Sequence, residues 1–219
     1  MEEVQGFSEA VKAIKDESLK KQRKFTESIE LIFGLKDLNL KDPSNRFNIE
    51  ALLPYEIKKG IKIAVIARGD IATQAANIGL TVISGDDLEA LGKNPKEAKK
   101  IAKTYDFFLA EPPMMGLVGR HLGRVLGPRG KIHKPIPPPA SADLGKFVSN
   151  YYRSVRMRVK ANPSFGVRIA TLTNADEEIE ENAMSVYNTL VNRLPRGVQQ
   201  IRRVYMKSTM GSPVKVSLK

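Results

Sequence analysis

The residues best suited to chemistry fall in one run, Gly116-Leu-Val-Gly-Arg-His-Leu-Gly-Arg-Val-Leu-Gly-Pro-Arg-Gly-Lys-Ile-His-Lys-Pro-Ile-Pro-Pro-Pro139. Glycines at 116, 119, 123, 127 and 130 stand among Arg120, Arg124, Arg129, Lys131 and Lys134, and the run holds no carboxylate. Glycine lets a backbone approach a ligand or adopt φ > 0, and cations without acidic neighbours seek phosphate. Pro135, Pro137, Pro138 and Pro139 then impose an extended exit. The combination describes a polyanion surface. A solvated basic helix followed by a stiff loop is the plainer reading of the same residues.

Catalytic constellations fail one by one. A phosphate-binding loop needs Gly-x4-Gly-Lys followed by Ser or Thr, whereas Gly127-Pro-Arg-Gly130-Lys131 has another spacing and runs into Ile132. A dinucleotide fingerprint would open the first strand-to-helix turn, yet Arg68-Gly69-Asp70 brings no second glycine there. His121 has no Ser or Cys nucleophile signature near it and reads as a surface or phosphate-adjacent residue. Asp86-Asp87 suits the first turn of a helix better than a metal pair, and Glu177, Glu178, Glu180 and Glu181 read as another solvated first turn. Met114-Met115 reads as packing. The chain has no cysteine, which excludes disulfides, thiolate catalysis and Cys-based zinc sites, and two histidines cannot make a histidine-rich metal site. No cofactor and no metal are expected.

Charge points to a partner instead. The 219 residues carry 36 Lys and Arg against 24 Asp and Glu, a net +12. Residues 120–168 hold eleven basic residues and a single acid, Asp143, and the seven basic residues after Glu181 have no acid among them. That is not the pattern of a salt-bridged helix face, and it makes nucleic acid the leading partner. No apolar run approaches the roughly 20 residues of a membrane span, and Met-Glu-Glu is no basic leader, so a cytosolic chain without membrane contact is expected.

The elements that must position these residues follow from periodicity. Ser8–Lys21 reads as an amphipathic helix capped by Ser8, with Val11, Ile14 and Leu19 on one face. From Lys24 the period becomes two: Phe25, Ile29, Leu31 and Phe33 alternate with Lys24, Thr26, Ser28 and Glu30. Glu27 breaks the apolar side, so that end of the strand is expected to be exposed. An extended segment ends at Leu52-Leu53-Pro54. Ile61–Ala67 is a nearly continuous apolar run, as in a strand buried on both faces. Helix 70–78, strand 81–84, helices across 86–105 broken at Asn94-Pro95, strand 107–110 and helix 114–126 follow, a βαβ alternation that implies a mostly parallel sheet. Helix 143–153 comes after the prolines.

Next, Arg156, Arg158 and Lys160 share one face of a strand whose Val155, Met157 and Val159 turn inward, and Phe165–Thr171 is expected to be its hairpin partner. Tyr151, Tyr152 and Phe165 suit either base stacking or the core. Asp176–Leu194 is a helix with an acidic first turn, which suits the helix dipole. Ile201–Ser208 and Val214–Leu218 form a strand pair around Thr209-Met-Gly-Ser-Pro213. Both termini thus make one α+β domain, 1–66 with 156–219, interrupted by an α/β domain, 67–155.

Arg23-Lys-Phe-Thr-Glu-Ser-Ile-Glu30, Ala64-Val-Ile-Ala-Arg-Gly69, Met115-Gly-Leu-Val-Gly-Arg-His-Leu-Gly-Arg-Val-Leu-Gly-Pro-Arg-Gly130 and Ser208-Thr-Met-Gly211 together resemble the large-subunit ribosomal protein family numbered one, the protein of the mobile stalk beside the tRNA exit site. The Lys-Pro-Ile-Pro-Pro-Pro run is similar to archaeal members. The resemblance implies a split α+β domain with an inserted Rossmann-like three-layer α/β domain, no enzymatic activity, and rRNA contact through the split domain. Carried onto this chain, that contact uses Lys24, Phe25, Thr26, Ser28 and Glu30 with Thr209, Met210 and Gly211. Ser208 and the basic Arg158, Lys160 and Arg168 are expected to complete it. Without the resemblance, Thr-Met-Gly-Ser-Pro is a plain hairpin turn. Arg120, Arg124, Arg129, Lys131 and Lys134 are expected to make a second RNA contact, with more rRNA or a departing tRNA from the E site.

The resemblance further implies a ribosome-bound cytoplasmic protein, monomeric when free, that also binds its own mRNA and represses its translation. The alternative is a nucleic-acid-acting enzyme with the α/β insert as its core.

Overall fold

The computed structural model describes residues 3–21, 23–58, 61–129, 131, 134–136 and 144–217. It divides the chain into two compact units, Met1–Lys59 with Tyr152–Lys219, and Gly60–Tyr151.

The split unit is built on a five-stranded sheet in the order β1-β11-β10-β2-β9. These strands are Glu3–Gln5 (β1), Ser28–Leu35 (β2), Ser164–Thr171 (β9), Ile201–Ser208 (β10) and Val214–Ser217 (β11). Ladders β11–β10–β2–β9 are antiparallel, and β1 joins β11 in parallel. Alternation in β2 sends Ile29, Leu31, Phe33 and Leu35 into the core, as the period of two requires. Helices Gly6–Lys20 (α1) and Asp176–Arg193 (α7) add Phe7, Ala10, Val11 and Ile14, and Ile179, Ala183, Val186 and Leu190 to the same core.

Three expectations for this unit are corrected. Ser8 is not the cap of α1: the helix begins two residues earlier, where Gly6 takes φ 82° and the Gln5 amide donates to Glu9 Oε2 at 2.8 Å. Leu19 does not share the buried face and is 71% exposed. The hairpin expected between Ser154–Val159 (β8) and β9 does not form. The two strands are neighbours in sequence but belong to different sheets: β8 pairs antiparallel with Phe47–Leu52 (β3), while β9 takes the edge of β2. Alternation along β8 is as expected, with Val155, Met157 and Val159 buried.

The inserted unit holds a parallel sheet in the order β5-β4-β6-β7: Ile63–Ile66 (β4), Thr81–Ile83 (β5), Phe107–Ala110 (β6) and Lys134–Pro135 (β7). Every residue of β4 is buried, which explains its unbroken apolar run. Its helices are Gly69–Asn77 (α2), Gly85–Lys93 (α3), Pro95–Thr104 (α4), Met115–Leu126 (α5) and Leu144–Tyr152 (α6). Ser84 and Asp87 form a reciprocal capping box on α3, and Asn94 caps α4 just before Pro95. Tyr151 packs against Phe107 and Phe147, and Phe165 of the split unit against Phe33 and Phe47, so both are packing aromatics.

The expected boundary after 66 places all of β4 in the split domain, and that after 155 cuts through β8. Residues 63–66 are the centre of the inserted sheet, paired on both sides, and β8 already belongs to the split unit through β3. The divisions therefore lie earlier, near 59 and 152.

Candidate nucleic-acid interface

The two sequence segments expected at an RNA surface, 24–30 and 208–211, meet at the start of β2. Lys24, Phe25 and Thr26 are not strand residues: β2 begins only at Ser28, and the preceding loop leaves Phe25 52% exposed instead of continuing the apolar side. Glu30 lies one step into the strand, in register with Lys207 on one side and Arg168 on the other. Ser28 and Ser208 are buried, so neither side chain stands ready for a ligand.

The turn after β10 is bonded to the start of β2. Thr209 donates its amide to the Ser28 carbonyl at 3.0 Å, and its hydroxyl both accepts the Ser28 amide at 3.1 Å and donates to the Ser28 carbonyl at 3.3 Å. Thr209 is among the residues expected to contact RNA. Its one hydroxyl proton is already committed here, and a lone pair is what remains.

Glu27, expected to be exposed, is 2% exposed. Its Oε2 accepts from the Ser208 hydroxyl at 2.9 Å and from the Met210 amide at 2.8 Å, and Arg23 Nε lies 3.8 Å from the other carboxylate oxygen. A buried carboxylate needs such donors, because desolvation without them is costly. Glu17 of α1 does the same one step along, accepting the Ser212 amide at 3.0 Å and its hydroxyl at 2.9 Å. Between them Gly211 has no room for a side chain: a Cβ there would stand 2.5 Å from Ser208 Oγ and 3.2 Å from Glu17 Oε2.

Glu17 and Glu27 were not among the expected site residues. Glu17 follows Asp16 on a helix and carries no distinguishing signal, and Glu27, interrupting an apolar alternation, pointed to exposure.

Buried Glu27 and half-buried Glu17 therefore hold a turn that leaves Met210 59% exposed, and the loop bonded to it through Glu27 leaves Phe25 exposed. Lys24 is exposed beside Phe25. A rigid backbone turn, two apolar side chains and adjacent cations suit ribose and base faces together with phosphate.

The structure does not bring every expected residue here. Arg158 and Lys160 belong with β8 and line a different cleft. In the inserted unit, Arg120 and Arg124 are exposed along α5, whose Gly116, Gly119 and Gly123 are helical and have nothing within 4 Å of an added Cβ. Arg129 is exposed and donates to the Val125 carbonyl at 2.9 Å.

Lys131 is corrected: its ammonium donates to the carbonyls of Ala102 and Tyr105 at 3.1 and 2.6 Å, closing the C-terminal end of α4. A cation there satisfies orphan carbonyls and the helix dipole instead of a phosphate. Lys134 pairs through its backbone in β7. Gly130, His133, Pro137, Pro138 and Pro139 lie outside the described residues. His121 packs on α3, where a Cβ at Gly92 would stand 2.2 Å from Nδ1.

Among the acidic run, Glu178 turns back to Asn174 and the Ala175 amide and pairs with Lys58 at 3.1 Å. The Asn174 side chain first, then Lys58 and the amide, hold its carboxyl below the ordinary value. Among the described residues no three His, Asp or Glu side chains converge as a metal site, and no helix is long and apolar enough to cross a membrane.

The sequence profile of the Ribosomal protein L1p/L10e family matches residues 14–212, a span that contains Glu17, Glu27 and the whole 209–212 turn. The chain belongs to this family. Archaeal relatives are similar to this chain over nearly their whole length. The chain is 45% identical over 212 residues to the large ribosomal subunit protein uL1 of Thermococcus kodakarensis, covering 97% of each chain. It is 45% identical to the uL1 of Pyrococcus abyssi, over 97% of this chain and 95% of that one. The uL1 of Methanothermococcus thermolithotrophicus is 45% identical over 94% of this chain and 96% of its own. Such full-length likeness makes this an L1p/L10e protein of archaeal type.

Proposed function

We propose that this chain is a structural component of the large ribosomal subunit, not an enzyme, and that it binds large-subunit rRNA through the surface made by residues 23–27 and 209–212. The observation that carries this reading is the buried Glu27 carboxylate. It fixes Ser208 and Met210 from inside, leaving Met210 exposed on the turn while Lys24 and Phe25 are exposed on the loop that carries Glu27. Relatives named as large-subunit proteins, similar over nearly their whole length, support the ribosomal assignment. The chain then works on the ribosome in the cytoplasm.

The finer roles rest on the family resemblance: a place on the stalk near the E site, help in releasing deacylated tRNA through Arg120, Arg124 and Arg129, and repression through a site on its own mRNA. Crosslinking in cells, followed by sequencing of the attached RNA, tests the whole reading. Large-subunit rRNA should dominate, with its own message and tRNA as minor products. A product spread evenly over cellular RNA would overturn it.

A further inference from the structure

Arg158 and Lys160, separated from the 209–212 turn, line a cleft of about 990 Å³ together with Lys41 and Arg46, and Leu40 and Phe47 form part of its apolar wall. No carboxylate lines it. Among the described residues none of these four cations stands within ion-pair distance of an acid. Arg156, the neighbouring cation on β8, is by contrast matched to Glu50 at 3.5 Å.

Arg46 also shapes the rim, donating to the Leu40 carbonyl at 2.8 Å and so holding the 39–46 loop in place. Asp42 on that loop is turned to the Ser44 amide, and its carboxyl is held below the ordinary value first by that hydrogen bond and only lastly by Arg46.

The cleft lies at the far end of β2. The start of β2, Ser28, is bonded to Thr209, whereas its last residue, Leu35, donates to the Pro163 carbonyl at 2.7 Å, just beyond Lys160. At the usual strand rise these ends stand about 24 Å apart.

We propose that this cleft is a second RNA site on the split unit, separate from the 209–212 surface, taking the sugar-phosphate backbone of an unpaired or looped segment. Lys41, Arg158 and Lys160 meet the phosphates, and the Arg158 guanidinium can bind one bidentately, while Arg46, donating to the Leu40 and Lys41 carbonyls and lying near Asp42, adds charge at the rim. Half-buried Leu38 and Leu40 give a ribose or an unstacked base an apolar surface, with Phe47 buried behind them. The proposal rests on the reading that this chain binds large-subunit rRNA.

The test is a salt titration of the full chain on a large-subunit rRNA transcript, with a small-subunit transcript as competitor. The variants are Arg158→Gln with Lys160→Gln, and separately Met210→Asp. Removing two phosphate contacts should flatten the slope of log K against log salt by about 1.4. Preference for the large-subunit transcript should persist in that variant and fall in Met210→Asp. An unchanged slope overturns the second site, and loss of both slope and preference in the Arg158/Lys160 variant overturns its separateness. A wild-type chain with no preference between transcripts overturns the functional reading itself.

A photocrosslinker at Ala161, which is exposed and lines the cleft, gives an independent readout in assembled large subunits. Attachment to RNA is the expected product. Attachment to an acidic protein segment, or to nothing, overturns the proposal.

Discussion

The carboxylate of Glu27 accepts the backbone amide of Met210 at 2.8 Å across 183 positions of sequence. The bond ties the loop before β2 to the turn after β10, and it does so from inside the protein. Met210 is left exposed on the turn, and Phe25 on the loop. On the proposed reading, this buried acid arranges the surface that meets RNA.

Replacing Glu27 with Ala leaves the buried Ser208 hydroxyl and the part-buried Met210 amide without this acceptor. The expected cost is about 1–3 kcal/mol in urea unfolding. Glu27→Gln retains one acceptor oxygen and should lose less. If both variants unfold with the wild type, the carboxylate does not hold the turn.

Gly211→Ala pushes a methyl group against Ser208 Oγ, 2.5 Å from its ideal position. The turn must shift, so RNA affinity should fall more than stability does. Combining it with Ser208→Ala removes the atom it strikes. The pair should then recover part of the lost stability, a non-additivity that a double-mutant cycle measures. Strict additivity would mean the clash is not the cause.

Lys131→Ala separates structure from binding in the inserted unit. It strips a cation from two carbonyls at the end of α4 and should destabilise that unit by about 1–2 kcal/mol. The salt slope of RNA binding should not change. Arg120→Gln with Arg124→Gln should do the opposite, leaving thermal stability near wild type and flattening the slope.

Acid should loosen the split unit partly through Glu178. Its carboxyl titrates lower in the folded chain than its ordinary value of 4.5, first because Asn174 donates to it and then because of Lys58. A lowered folded value means that the stabilisation is present above pH 4.5 and is lost as pH falls through the folded value. Glu178→Gln should therefore melt below the wild type at neutral pH and draw level with it in acid. Parallel melting curves from pH 7 to 3 would contradict this.

Much of the fold is legible because local pattern and tertiary packing agree. Ile29, Leu31 and Phe33 alternate and are buried; Ile63–Ile66 runs apolar and is paired on both sides; Asn94-Pro95 both breaks one helix and caps the next. What pattern alone could not convey is the partner of a polar group. Glu27 looks like an exposed interruption of a strand, because an isolated carboxylate is costly to bury, and the donors that offset this come from 181 and 183 residues away. Lys131 reads as a phosphate ligand because sequence does not disclose that α4 ends beneath it. Strand pairing is equally non-local: β8 and β9 are adjacent in the chain, yet each finds its partner upstream, in β3 and β2.

The most direct test of the rRNA site is a competition titration of wild type and Met210→Asp between large-subunit and small-subunit rRNA transcripts, with the melting temperature of each protein recorded alongside. Met210 is exposed, so the substitution should leave melting almost unaltered. An anion placed where the turn meets RNA should cut affinity for the large-subunit transcript at least tenfold and erase most of the preference. Retention of full affinity and preference by a folded Met210→Asp protein would contradict the assignment of the rRNA site to this turn.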